Sequence, residues 1–149
     1  MGIAEDIKQD SFKSEYSKAI INTIFTSAWL HQEHLQLFKS HGLTTPQFNI
    51  LRILRGQHPK PATVNLLIDR MLDKSSNASR IVDKLEQKGL VKRSQCSKDR
   101  RAVDVYISDA GLKLLDEMDV KMDEWEKSHN SLSEKEAATL NVLLDKIRG

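Results

Sequence analysis

Between Lys74 and Arg101 the chain sets nine Lys and Arg against three Asp and Glu. Residues 1–73 hold eight against seven, and residues 102–149 hold six against eleven. In chain order the three stretches carry +1, +6 and −5, so one short segment holds the positive field of a protein whose net charge is only +2. A field localised in this way is the footprint of a surface that meets a polyanion. Within the segment the side chains differ in reach. Lys74 and Ser75 open it; Ser76, Asn77 and Ser79 offer short hydrogen-bonding groups and Arg80 a long planar fork. Lys84, Lys88 and Arg93 follow, and then a cationic cluster, Lys98-Asp99-Arg100-Arg101. Short polar groups beside one long donor suit the edges of bases, whereas lysine ammonium groups suit phosphates and fix register without reading sequence.

These groups need elements to carry them. Only three Pro and six Gly interrupt 149 residues, so helices should dominate. With aromatics at 5%, the core must rest on Leu, Ile, Val and Met. From Ser11 to Lys39, Ile20, Ile21, Ile24, Phe25, Ala28, Leu35, Leu37 and Phe38 recur at helical spacing, predicting one long helix. Leu43-Thr44-Thr45-Pro46 is a helix start, with Thr45 as the expected cap and Pro46 as the first helical residue. Gly56 to Pro61 is a break, and Val64, Leu67, Ile68 and Met71 mark a short helix after it. Asp73-Lys74-Ser75-Ser76 is a polar turn that supplies the expected caps for a basic helix. That helix buries Ala78, Ile81, Val82 and Leu85, shows Asn77, Ser79, Arg80, Asp83 and Lys84, and ends at Gly89.

The period then changes from helix to strand. Leu90-Val91-Lys92-Arg93 reads as a short strand, Gln95 to Arg101 as a hairpin loop, and Val103, Val105 and Ile107 as the inward face of a second strand. Helices follow from Asp109 through Trp125 and from the capping box Ser133/Glu136 through Ile147. The fold class is therefore mainly α with a small β-wing: a winged helix-turn-helix at residues 43–108, with helical regions at 1–42 and 109–149. A recognition helix that enters a major groove and a thin cationic hairpin tip that suits a minor groove point to double-stranded DNA.

Residues 76–111 resemble the core of MarR-family transcriptional regulators. The resemblance rests on the basic helix ending in Leu85-Glu86 and Gly89-Leu90-Val91, on the Asp-x-Arg wing motif at Asp99 and Arg101, and on a strand (Val103, Ile107) leading into a Ser-x-x-Gly helix start at Ser108 and Gly111. Leu43 to Phe48 also resembles the family's second-helix start, and the likeness extends over residues 15–147. It implies that the terminal helical regions intertwine into a homodimer and that Arg101 enters the minor groove. It implies too that Asp99 orients Arg101 by a charge-assisted hydrogen bond, and that the operator is a pseudo-palindrome. It also implies a repressor that a small-molecule effector of unidentified chemistry could release.

Other readings are weaker. A charge run is by default a solvated surface, and a winged helix could use its basic face to bind protein; coincidence of the charge with the helix-turn-helix and wing favours DNA. Cys96 lies among Lys92, Arg93 and Lys98, which could lower its pKa, but the plainer reading is an incidental thiol. In the peroxide-sensing branch of the family the reactive cysteine lies in the first helix, where this chain has none. His31 and His34 share a helix face, yet zinc needs three or four converging ligands, so no metal is expected. Trp29, Trp125, Phe25 and the methionines read as core or dimer interface before effector pocket. No phosphate-binding loop, nucleophile elbow or catalytic pair occurs, so no enzyme and no cofactor are expected. One cysteine, no secretory-type leader and no apolar run of membrane length predict a cytoplasmic protein with no membrane partner.

Overall fold

Ser14 starts the long helix by accepting the Ser17 amide at 3.1 Å. The computed structural model describes residues 2–149, in which a short helix α1 (Ile3–Asp6) precedes α2 (Glu15–Lys39). Periodicity over Ser11–Lys39 foretold α2 but set its start too early; Ser14 is the residue that caps it. Gly42, in the left-handed region at φ 65°, ends that run, and the Leu43 amide folds back onto the Phe38 carbonyl at 3.2 Å.

Helix α3 (Thr45–Gln57) is capped by Thr44, not by Thr45 as the sequence suggested. The reason is reciprocity. Gln47 stands three residues after Thr44, so the Thr44 hydroxyl accepts the Gln47 amide while Gln47 Oε1 accepts the Thr44 amide. Thr45 is left inside the first turn, its hydroxyl buried without a partner among the described residues.

Directly after the Gly56–Pro61 break comes a two-residue strand, β1 (Ala62–Thr63), which sequence reasoning missed. Two residues are too few for a period, and only pairing with a distant strand defines it. Thr63 then caps α4 (Val64–Arg70) through the Leu66 amide. The recognition helix α5 (Ala78–Gln87) follows, then β2 (Val91–Gln95), β3 (Val103–Ile107), α6 (Asp109–His129) and α7 (Glu134–Arg148). The sheet is antiparallel in the order β1-β3-β2, with Ala62 opposite Val105 and Val91 opposite Ile107.

The chain divides into two compact units, Met1–Glu117 and Met118–Gly149. In the first, Phe38 stacks on Phe48 at 4.4 Å between ring centroids, and Ile50, Leu51, Leu54, Leu67, Val82, Leu85, Val91, Val105 and Leu115 are buried around them. Each is worth on the order of 1.5–3 kcal/mol when fully removed from water. This core seats α3, α4, α5 and the base of the hairpin. In the second unit α7 buries none of its residues, and Leu140, Val142, Leu143 and Ile147 stand exposed on it. No described helix is long and apolar enough to cross a membrane.

Candidate nucleic-acid interface

Helix α5 turns one narrow face inward, with Ala78, Val82 and Leu85 buried. Its start is fixed by Asn77, whose Oδ1 accepts the Arg80 amide at 3.1 Å. The cap is therefore Asn77 rather than a member of the preceding Asp73–Ser76 turn. That turn holds itself together: Asp73 Oδ1 accepts both the amide and the hydroxyl of Ser75, at 2.9 and 2.6 Å. These bonds, the Ser75 hydroxyl first, hold the Asp73 carboxyl below its ordinary value. Lys74 donates to the carbonyls of Ile68 and Asp69 at the end of α4, and Asn49 Oδ1 accepts the Leu72 amide at 2.9 Å. The end of α5 is a left-handed glycine, Gly89 at φ 72°, with the Leu90 amide on the Leu85 carbonyl and the Gly89 amide on the Glu86 carbonyl.

The hairpin tip is closed by four bonds of about the same length. The Cys96 amide donates to the Ala102 carbonyl at 3.1 Å and the Ala102 amide to the Asp99 carbonyl at 3.1 Å. Gln95 Nε2 donates to the Arg100 carbonyl at 3.1 Å, and Asp99 Oδ1 accepts the Arg101 amide at 2.9 Å. Asp99 thus meets Arg101 through its backbone amide. It fixes the turn from which the guanidinium projects.

Eleven of the twelve residues marked by the sequence divide into two groups, and Ser76 stands apart from both. Lys74, Ser75, Asn77, Arg93 and Asp99 are engaged in internal bonds. Arg93 is held most firmly: its guanidinium meets Asp83 at 2.5 Å and Glu86 at 3.1 Å, and its amide donates to Glu86 at 3.1 Å. Those bonds hold the Glu86 carboxyl below its ordinary value and raise the Arg93 guanidinium. Ser79, Arg80, Lys84, Lys98, Arg100 and Arg101 lie on the outer surface, with no ion pair among the described residues; Ser76 is half-buried beside Asp73. Lys88, expected on phosphate, instead donates to the Gly42 carbonyl and to Gln47 Oε1. The sequence reading missed Asp83 and Glu86 as holders of Arg93. Their three-residue spacing placed them on one helix face, but nothing local named the partner.

The described residues contain no group of His, Cys, Asp and Glu able to hold a metal ion. Cys96 is half-buried at the hairpin and free.

A helix-turn-helix followed by a hairpin with a cationic tip defines a winged helix-turn-helix DNA-binding protein. Residues 43–103 match the model of the MarR family. The HTH-type transcriptional regulator MgrA of Staphylococcus aureus is 30% identical over 112 residues, 75% of this chain and 74% of that one. The crystal structure of a MarR transcription factor from Planctomyces limnophilus shares 27% identity and a TM-score of 0.68 over 93% of this chain and 95% of its own. MepR of S. aureus in its DNA-binding conformation, at 24% identity, has the same fold, with a TM-score of 0.70 over 84% and 92%. The chain belongs to the MarR family of transcriptional regulators.

Proposed function

We propose that the protein is a repressor that binds a pseudo-palindromic operator as a homodimer. The observation that carries this reading is the set of uncompensated cations on the outward side of α5 and at the wing tip: Arg80, Lys84, Lys98, Arg100 and Arg101. Ser76, Ser79 and Arg80 meet base edges in the major groove, Lys84 and Lys98 meet phosphates, and Arg101 enters the minor groove with Arg100 beside it. Lys74, Ser75, Asn77, Arg93 and Asp99 act by holding these groups in place.

The helical ends, residues 1–42 and 109–149, form the dimerisation region, and residues 43–108 the DNA-binding domain. Two apolar faces support a dimer: Ile24, Phe25 and Trp29 on α2 are 65%, 40% and 42% exposed, and Val142 and Leu143 on α7 are 66% and 53% exposed. Surfaces of this kind mark association sites. A two-fold dimer presents two recognition helices to successive major grooves, which requires a two-fold operator. A small-molecule effector takes the open cleft of about 480 Å³ lined by His41, Lys88, Leu90, Lys113 and Glu117. Its floor includes the turn that ends α5, so an occupant would bear on the recognition helix.

Selection of binding sites from genomic fragments, followed by anisotropy titration over a range of salt, tests the reading. Affinity for the selected site should fall steeply with salt, Arg101→Ala should weaken binding by about 1–3 kcal/mol, and the protein should sediment as a dimer at micromolar concentration. Salt-independent binding would instead favour a basic face that recognises protein, and a monomer would contradict the two-fold operator.

A further inference from the structure

The outer half of the wing has no core beneath it. Val91 is buried, but the next four residues of β2 are exposed, and Val103 at the far end of β3 is 39% exposed. Strand pairing keeps the hairpin together but does not fix its angle to the recognition helix. Arg93 is the one side chain of this outer half bonded to α5 among the described residues. It stands two residues after Val91, so both point to the same side of the sheet, toward the helix. There its fork spans Asp83 and Glu86, three residues apart on α5, with Nη1 on Asp83, Nη2 and Nε on Glu86, and the backbone amide on Glu86 as well.

Stability is a poor reason for this arrangement. The two carboxylates are 48% and 40% exposed, and exposed ion pairs add little to folding. The carboxylates are also costly where they stand: two negative charges on a DNA-reading helix repel phosphate. Arg93 offsets that repulsion and uses both charges as anchor points, with a planar fork that lysine does not offer.

We propose that Arg93 is a positioning residue that locks the wing to the recognition helix, so that the tip and α5 address DNA as one rigid unit and Arg101 reaches the minor groove without first being ordered. The inference rests on the reading of Arg101 as a wing contact. Flexible tips lose affinity because ordering must then occur on binding.

The test separates geometry from charge. Asp83→Asn/Glu86→Gln/Arg93→Gln removes the clamp and leaves no uncompensated carboxylate. In the wild-type background Arg101→Ala should cost about tenfold or more in operator affinity; in the triple variant the same change should cost less than about twofold, because coupled residues do not add. Arg93→Lys, which keeps the charge without the fork, should also reduce the cost of Arg101→Ala. Backbone order of residues 94–102 by ¹⁵N relaxation, in the free protein, should fall in both clamp variants. An equal cost of Arg101→Ala in all backgrounds overturns the proposal. If Arg101→Ala costs nothing even in the wild type, the wing reading fails instead. The relaxation data then decide the clamp, and unchanged order in the triple variant overturns it.

Discussion

The Ser108 hydroxyl donates to the Gly89 carbonyl at 2.7 Å and accepts the Gly111 amide at 3.1 Å, while the Ser108 amide donates to the Leu90 carbonyl at 3.0 Å. One half-turn of chain thus joins the end of the recognition helix, the end of the wing and the start of α6. Ser108 is 8% exposed, and its bond to the Gly111 amide is buried while that to the Gly89 carbonyl is part-buried. The Ser-x-x-Gly signature follows directly: a Cβ on Gly111 would collide with the Leu90 carbonyl oxygen and lie 2.7 Å from Ile107 Cγ1.

Gly111→Ala should therefore destabilise the protein by about 1–3 kcal/mol, the range for overpacked sites. Helix propensity alone predicts the opposite sign, a gain of about 1 kcal/mol. Ser108→Ala should cost a similar amount, about 1–3 kcal/mol, by removing the hydroxyl that pairs the buried Gly111 amide and the part-buried Gly89 carbonyl. Urea unfolding midpoints decide the matter; a stabilised Gly111→Ala variant would refute the close approach.

Lys88 and Lys84 lie four residues apart on or beside the same basic helix, yet they should behave differently. Lys84→Ala should reduce the salt slope of operator binding by about 0.9, the loss of one phosphate contact. Lys88→Ala should leave that slope unchanged and lower folding stability by about 1 kcal/mol, because its ammonium group bonds the Gly42 carbonyl and Gln47. Equal slope changes for the two variants would return Lys88 to the phosphates.

Acid should loosen the Arg93 clamp. The Glu86 carboxyl, held down by the Arg93 hydrogen bonds, titrates lower folded than unfolded. Its stabilisation is therefore complete above the ordinary glutamate value of 4.5 and is lost as pH falls through the depressed folded value. Thermal midpoints of the wild type and Glu86→Gln should differ slightly at neutral pH, draw together as pH falls below about 4.5 and coincide only below the depressed folded value. A difference that persists in acid would mean that the Glu86 charge is not what the variant removes.

Much of this architecture is legible in the sequence because it rests on short-range physics. Helical spacing in α2, α3 and α5, alternation in β3 and the Ser133/Glu136 box are properties of neighbours a few residues apart. Where two local solutions compete, as at Thr44 and Thr45, position along the chain favours one and reciprocity with Gln47 selects the other. Strand β1 is invisible in the sequence because its only definition is a pairing with Val105 and Asp104, some forty residues away.

The sequence by itself determined that a basic helix and a cationic hairpin stand side by side, because charge is additive along the chain and periodicity is local. Only the tertiary structure decided which of those polar groups are available. Glu86 and Arg93 are seven residues apart, Gly89 and Ser108 nineteen, Gln47 and Lys88 forty-one. A hydrogen bond needs its partners within about 3 Å and well aligned, and at those separations alignment is set by how helices and strands pack. The same residue type therefore serves in two ways here: Arg93 is bound to carboxylates within the protein, and Arg101, on a turn that Asp99 fixes, is left to face outward.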